Sequence, residues 1–198
     1  MKKLVRTDLL SLEAYAQQRA DFRARVMAHK KKRTVHLGNH LTLIFEDRQS
    51  IQYQVQEMLR IERIFEAEGI QDELDAYNPL IPEAGQLSAT LFVELTSKEQ
   101  LQEWLPKLVG IERSVELLVG EGERATVVRC RVDDAHAARL TREEVTASVH
   151  YVHFDVPAAV VDRWLDEPVV LAVNHPAYAH GVNLSIETKG SLLGDLRP

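Results

Sequence analysis

Cysteine is nearly absent from this 198-residue chain: Cys130 stands alone, so neither an internal disulfide nor a cysteine-rich zinc or iron–sulfur site can be built within one copy. Long apolar runs are missing too. No stretch approaches the roughly 18 to 20 residues that a bilayer-spanning helix needs. The basic start MKKLVRTDLL meets Asp8 after only a few apolar residues and no small-residue cleavage site follows, so it does not read as an export signal and a cytoplasmic location is expected. Nine glycines and seven prolines exclude collagen-like and linker-like chains. Also lacking are a glycine-rich phosphate loop, a dinucleotide fingerprint, a nucleophile elbow and the paired Glu-x-x-His of di-iron bundles. What is present is an ordinary globular composition, 45% hydrophobic and 27% charged, sufficient for one large domain or two small ones sharing a core.

The net charge of −6 is unevenly spread. Residues 1–33 carry ten Lys/Arg against three Asp/Glu, and the remainder fourteen against twenty-seven. A basic head on an acidic body suggests an arm for nucleic acid, densest at His29, Lys30, Lys31, Lys32 and Arg33. No stacking aromatics are interleaved with that run, which disfavours a nucleic-acid partner. The better reading is that cations in a last helical turn oppose the helix dipole and that the segment docks on its own acidic body.

The pattern predicts a short helix from Asp8 or Ser11 to about Gln17 and a second from about Ala20 to Lys32 that buries Tyr15, Phe22, Val26 and Met27. RTVHLGNHLTLIF reads as a hairpin about a two-residue Gly38-Asn39 turn, with Leu37 opposite His40. Asp47 caps a long helix expected to stop at Gly69, and GIQDELDAYNPLIPEAG reads as a turn-rich seam between a helical and hairpin region, residues 1–82, and a sheet region, residues 83–198. Beyond it, strand, helix and strand occur twice, with Trp104-Leu105 and Trp164-Leu165 at equivalent helix ends. A hairpin through GEGE and a polar connection with Asp133, Asp134 and Arg142 separate the two units. Such units normally share one sheet with helices on one face, a ferredoxin-like α+β arrangement. The tail LSIETKGSLLGDL reads as a frayed helix capped by Ser185 and weakened by Gly190 and Gly194.

Glu62 is the local anomaly. It falls within the stripe of Ile51, Val55, Met58, Leu59 and Phe65 when the helix is laid out at about 100° per residue, and a carboxylate there must be neutral, paired or metal-bound. An arginine such as Arg23 or Arg25 is one expected partner; the other reading is a functional carboxylate. Among eight histidines, His175 and His180 in HPAYAH are the local pair able to converge, with Tyr178 between them. Two histidines and an acid, Glu62, Glu46 or Asp47, would suit iron or zinc. The competing reading has His175 and Tyr178 simply fixing the turn. Cys130 lies in a predicted strand, where a buried hydrophobe is its expected role.

The run from LLSLEAYAQQRADF through AYNPLIP, residues 8–82, resembles the N-terminal hallmark of the bacterial family called domain of unknown function 3501, and NHPAY at 174–178 resembles its C-terminal hallmark. The resemblance implies no reaction, cofactor or catalytic residue. It implies an association with rubrerythrin-like and iron–sulfur redox proteins in peroxide metabolism. Two functions are therefore expected. One is an accessory or binding protein with a redox-protein partner, docking through the hairpin, the long helix and AYNPLIP. The alternative is a metal-dependent or acid/base enzyme whose pocket gathers Glu62, Arg60, His175 and Tyr178 between the halves. A monomer or homodimer is expected in either case.

Overall fold

The computed structural model describes residues 1–132 and 145–197, so the predicted connection with Asp133, Asp134 and Arg142 lies outside the described residues. Ser11 caps helix α1 (Leu12–Lys31) by accepting from the Ala14 amide, and the helix runs unbroken for 20 residues where two helices were expected. Nothing between Ala16 and Ala20 is a helix breaker. Tyr15 and Val26 are buried as predicted, with Phe22 and Met27 half-buried.

Strands β1 (Thr34–Leu37) and β2 (Leu41–Glu46) form the predicted hairpin in a different register: Leu37 pairs with Leu41 and Val35 with Leu43, around a loop of Gly38, Asn39 and His40. A two-residue turn would have set Val35 opposite Thr42 and His36 opposite Leu41, mixing the faces. The longer loop puts Val35, Leu37, Leu41, Leu43 and Phe45 into one core.

Asp47 caps α2 (Arg48–Glu62) through a reciprocal pair of hydrogen bonds with Ser50. This helix ends seven residues before Gly69 because Arg63 takes the left-handed conformation at φ 55°. The expected turn-rich segment instead supplies α3 (Ala67–Tyr77). Its Ile70, Leu74 and Tyr77 lie at helical spacing and pack on Ile51, Val55 and Leu59 of α2, so apolar periodicity outweighs the glycine. Within AYNPLIP, Leu80 and Ile81 are buried in this cluster while Ala76 and Pro79 are exposed. The Asn78 amide donates to the Leu4 carbonyl and accepts from the Leu4 N–H.

The chain continues through β3 (Gln86–Val93), α4 (Lys98–Lys107), β4 (Val115–Val119), β5 (Thr126–Arg129), β6 (Val149–Asp155), α5 (Ala158–Val161), β7 (Val169–His175), β8 (Tyr178–Asn183) and α6 (Ile186–Leu196). Among the described residues the fold is α+β with two four-stranded antiparallel sheets, ordered β1-β2-β3-β6 and β5-β4-β7-β8. The two strand-helix-strand units exist, but each is split between the sheets, so no ferredoxin-like single sheet forms from them. β3 pairs with β6 in one sheet while β4 pairs with β7 in the other. The reason is apolar area: Leu87, Leu91 and Phe154 of the first sheet share one core with Leu117, Leu171 and Val173 of the second, and two facing sheets bury both sets. Of the equivalent tryptophans, Trp164 is fully buried in this core and Trp104 packs at its margin.

HPAYAH holds a strand start, β8, that its local pattern does not signal: Pro176-Ala177 makes a two-residue turn that sets His175 opposite Tyr178. The sheets meet at two seams. Arg131 and His153 exchange backbone hydrogen bonds of 2.8 and 2.9 Å beside β5 and β6. At the other seam the Tyr178 hydroxyl donates to the Leu37 carbonyl (2.7 Å) and accepts from the His40 N–H (3.1 Å). Helix α6 is firmer than expected, because Ser185 caps it and buried Lys189 donates to the Leu165 and Glu167 carbonyls. Among the described residues, no helix is long and apolar enough to cross a membrane.

Gly38 sits at φ +69°, and a Cβ there would overlap the Tyr178 hydroxyl and the His180 ring. Gly38→Ala should therefore cost about 1–3 kcal/mol in urea unfolding; an unchanged midpoint would show that the seam is not tightly packed.

Candidate functional site

The predicted acid and the buried acid of α2 are different residues. Glu62 is exposed, the last residue of its helix, and Phe65, counted with it on one stripe, lies beyond the helix end and is 71% exposed. The stripe dissolves because Arg63 turns the chain. Neither Arg23 nor Arg25 pairs with Glu62. Its charge reaches Glu73, whose carboxyl is pushed up by its own burial first and then by Glu62. The buried acid is Glu57. It accepts from Arg19 at 2.8 and 2.8 Å, from Arg60 at 3.2 and 3.1 Å and from the Tyr15 hydroxyl at 2.8 Å. The Arg19 hydrogen bonds, against the opposing effect of burial, lower its carboxyl to about 2. Arg60 is thus committed to Glu57, and this cluster ties α1 to α2.

His175, His180 and Glu62 do not assemble. The His175 Nε2 lies 3.0 Å from the Val109 carbonyl and Nδ1 accepts from the Ala177 N–H at 3.2 Å. Both ring nitrogens are spent on backbone, which leaves no lone pair for a metal. His180 is exposed against the Tyr178 ring, 4.8 Å between centroids. Tyr178 closes the seam, and its ring also packs near His40 and Trp104. Among the described residues no group of three His, Cys, Asp or Glu is placed to hold a metal ion. Cys130 is mostly buried; its thiol donates to the Glu112 carbonyl and burial pushes it up to about 11, far from a reactive thiolate.

A cavity of about 250 Å³ does lie between the N-terminal and C-terminal regions of the chain. Ile51, Gln54, Tyr77 and Leu80 line it from the helical side, Thr90, Phe92, Val149 and Tyr151 from β3 and β6, with Lys30 and Glu46 supplying the charges. Arg60, Glu62, His175 and Tyr178 do not line it. Glu46 ends β2 on the face turned away from the main core, opposite Ser88 and beside Thr90. It is 5% exposed. The Thr90 hydroxyl donates to Oε1 at 2.8 Å and the Ser50 hydroxyl to Oε2 at 2.5 Å. Lys30 Nζ stands 3.7 Å from Oε2, inside ion-pair range but beyond a hydrogen bond. Burial foremost, and then Tyr77 and Glu46, raise the Tyr151 phenol.

Next to Glu46 is a second polar cluster that sequence reasoning missed. Arg33, 1% exposed, donates to Asp195 of α6 through both terminal nitrogens, to the Phe45 carbonyl at 3.0 Å and to the Glu46 carbonyl at 3.3 Å. Asp47 Oδ2 lies 3.7 Å from the same guanidinium and 2.5 Å from His29 Nε2. Burial works to raise the Asp47 carboxyl, but Arg33, the Ser50 amide and His29 together hold it below the ordinary range. Asp195 moves the other way, pushed up to about 6 by burial that Arg33 only partly opposes. The densest basic run therefore docks on the chain's own acids. The sequence signal was HKKKR followed by ED at 46–47, but the third member, Asp195, is 162 residues from Arg33.

A family model described as a protein of unknown function, DUF3501, matches residues 3–196. A crystal structure of a protein of unknown function from Burkholderia pseudomallei is 41% identical, spans 98% of this chain and 100% of its own, and superposes with a TM-score of 0.89. No curated protein matches the chain.

Removing Arg33 strands two buried carboxylates, so Arg33→Met should lose about 3–5 kcal/mol and added Asp195→Asn should recover some of it, both read by urea unfolding. Glu57→Gln should cost about 2–3 kcal/mol at pH 7. Because the folded carboxyl titrates near 2 and an ordinary one near 4.5, its stabilisation is complete above pH 4.5 and disappears as pH falls to 2. The difference between wild type and variant should shrink over that window in pH-dependent melts.

Proposed function

The chain belongs to the DUF3501 family, and from the geometry of its cavity we propose that it is a ligand-binding accessory protein whose site lies between residues 1–82 and 83–198. One observation carries the reading. The Glu46 carboxylate is 5% exposed, held by two hydroxyls, and still faces a 250 Å³ space beside an ammonium that makes no hydrogen bond with it. A buried carboxylate is costly unless compensated, and convergent polar groups in an apolar cavity are the usual mark of a binding site. Binding is favoured over metal-dependent chemistry because His175 has spent both ring nitrogens on backbone. The redox-protein partner belongs to this proposal and rests on the resemblance. Ile61 and Phe65, 61% and 71% exposed at the corner between α2 and α3, are the apolar side chains such a partner would cover.

A thermal-shift screen of small metabolites tests the site. At least one compound should raise Tm by about 5–10 °C at a hundred times its Kd, and Glu46→Gln and Lys30→Met should each abolish the rise. A compound that stabilises both variants as well as the wild type would place binding elsewhere.

A further inference from the structure

The cavity's charges and size narrow its ligand, an inference that rests on the binding reading above. Its lining contains one anion, Glu46, and one cation, Lys30, so the site is neutral as a whole. A purely cationic ligand would add a second positive charge beside Lys30, and a purely anionic one a second negative charge beside Glu46. Either adds a net charge to a neutral, mostly enclosed ion pair, which is costly at low dielectric.

The Glu46 carboxylate has acceptor capacity to spare. Thr90 donates to one oxygen and Ser50 to the other, and each carboxylate oxygen has two lone pairs. Thr90 is on β3 and Ser50 in the first turn of α2, so two elements fix the acceptor before any ligand arrives. Lys30 offers three N–H donors, and at 3.7 Å from Oε2 none of them is committed to a hydrogen bond with Glu46. In an α-amino acid the ammonium nitrogen and the carboxylate carbon lie about 2.5 Å apart, from standard bond lengths and angles. Such a head group laid against the Glu46 and Lys30 pair meets an opposite charge at each end.

The rest of the wall mixes aliphatic and aromatic carbon with the Gln54 amide and the Tyr77 and Tyr151 phenols. Ile51 and Leu80 face it from the helical side, while Phe92 and Val149 are directly paired across β3 and β6. A dry cavity of about 150 Å³ holds benzene, so 250 Å³ suits about ten heavy atoms. Leucine, isoleucine and methionine match that size, and tryptophan exceeds it. We infer that the cavity between the two regions of the chain binds a zwitterionic α-amino acid with a medium-sized aliphatic side chain, its ammonium on Glu46 and its carboxylate on Lys30.

Isothermal titration with L-leucine, 3-methylbutylamine, 4-methylpentanoate and L-tryptophan tests this. Leucine should bind, and each of the other three at least tenfold more weakly. Glu46→Gln and Lys30→Met should each weaken leucine at least tenfold, with urea midpoints recorded to confirm that both are folded. If either variant fails to fold, Phe92→Trp fills the cavity and should abolish leucine binding in a folded protein. Equal binding of the amine or the acid overturns the inference. If leucine, isoleucine and methionine give neither heat nor thermal shift while another metabolite binds in a Glu46-dependent way, the amino-acid class is wrong and the binding site stands. If no compound of the screen binds at all, both fail.

Discussion

One buried guanidinium holds the architecture around the cavity together. Arg33 lies where α1 gives way to β1, and its hydrogen bonds reach β2 through backbone carbonyls and α6 through Asp195. Removing that cation from water is expensive, and a single partner seldom compensates it fully. Here two carboxylates share it, and they respond in opposite directions. Asp47 has His29 and the Ser50 amide as additional support and stays ionised, whereas Asp195 is driven up to about 6. Asp47 is also the cap of α2 and the neighbour of Glu46, so the Ser50 hydroxyl serves both the helix start and the cavity acid. The position of the candidate ligand-binding carboxylate thus depends on the charge balance behind it.

The stretch of chain before residue 82 has a double task. Its hairpin completes the first sheet, beside β3, while its helices lie on that sheet's outer face. Polar residues at Glu46, Ser88 and Thr90 would be ordinary on a solvated sheet face. Covered by helices, Glu46 and Thr90 instead face an enclosed space that they share with Lys30, Gln54, Tyr77 and Tyr151. A β-strand's alternation puts them there for the same reason that Phe45, Ala89 and Leu91 point into the main core.

Local signals in the sequence were sound where a side chain acts on its own neighbourhood. Asp47, Ser97 and Ser185 cap helices as read from spacing, and all the strands with simple alternation formed. The failures are tertiary. Nothing near Leu37 announces that a tyrosine hydroxyl from residue 178 will set the hairpin loop at three residues. Nothing at Arg63 announces a left-handed residue, and without that break the stripe drawn from Ile51 to Phe65 placed Glu62 inside. The pairing of strands between the repeated units was likewise hidden, because alternation reveals that a strand has an apolar face but not which sheet receives it. For the candidate site, the sequence named Glu46 among several acids. It missed the convergence of Lys30, Thr90 and Tyr151, which are separated by 60 or more residues and meet only through the β2–β3–β6 order.

The two seams have a consequence for life in a crowded solution. An open sheet exposes a row of unpaired N–H and C=O groups that can recruit a strand from another molecule. Here the β6 border is stitched to Arg131 by a pair of main-chain hydrogen bonds, and the β1 border is stopped by a phenol that occupies the Leu37 carbonyl and the His40 amide at once. At these two margins the backbone groups are already engaged, so loss of the Tyr178 hydroxyl would free the Leu37 carbonyl and the His40 amide for another strand as well as weaken the fold.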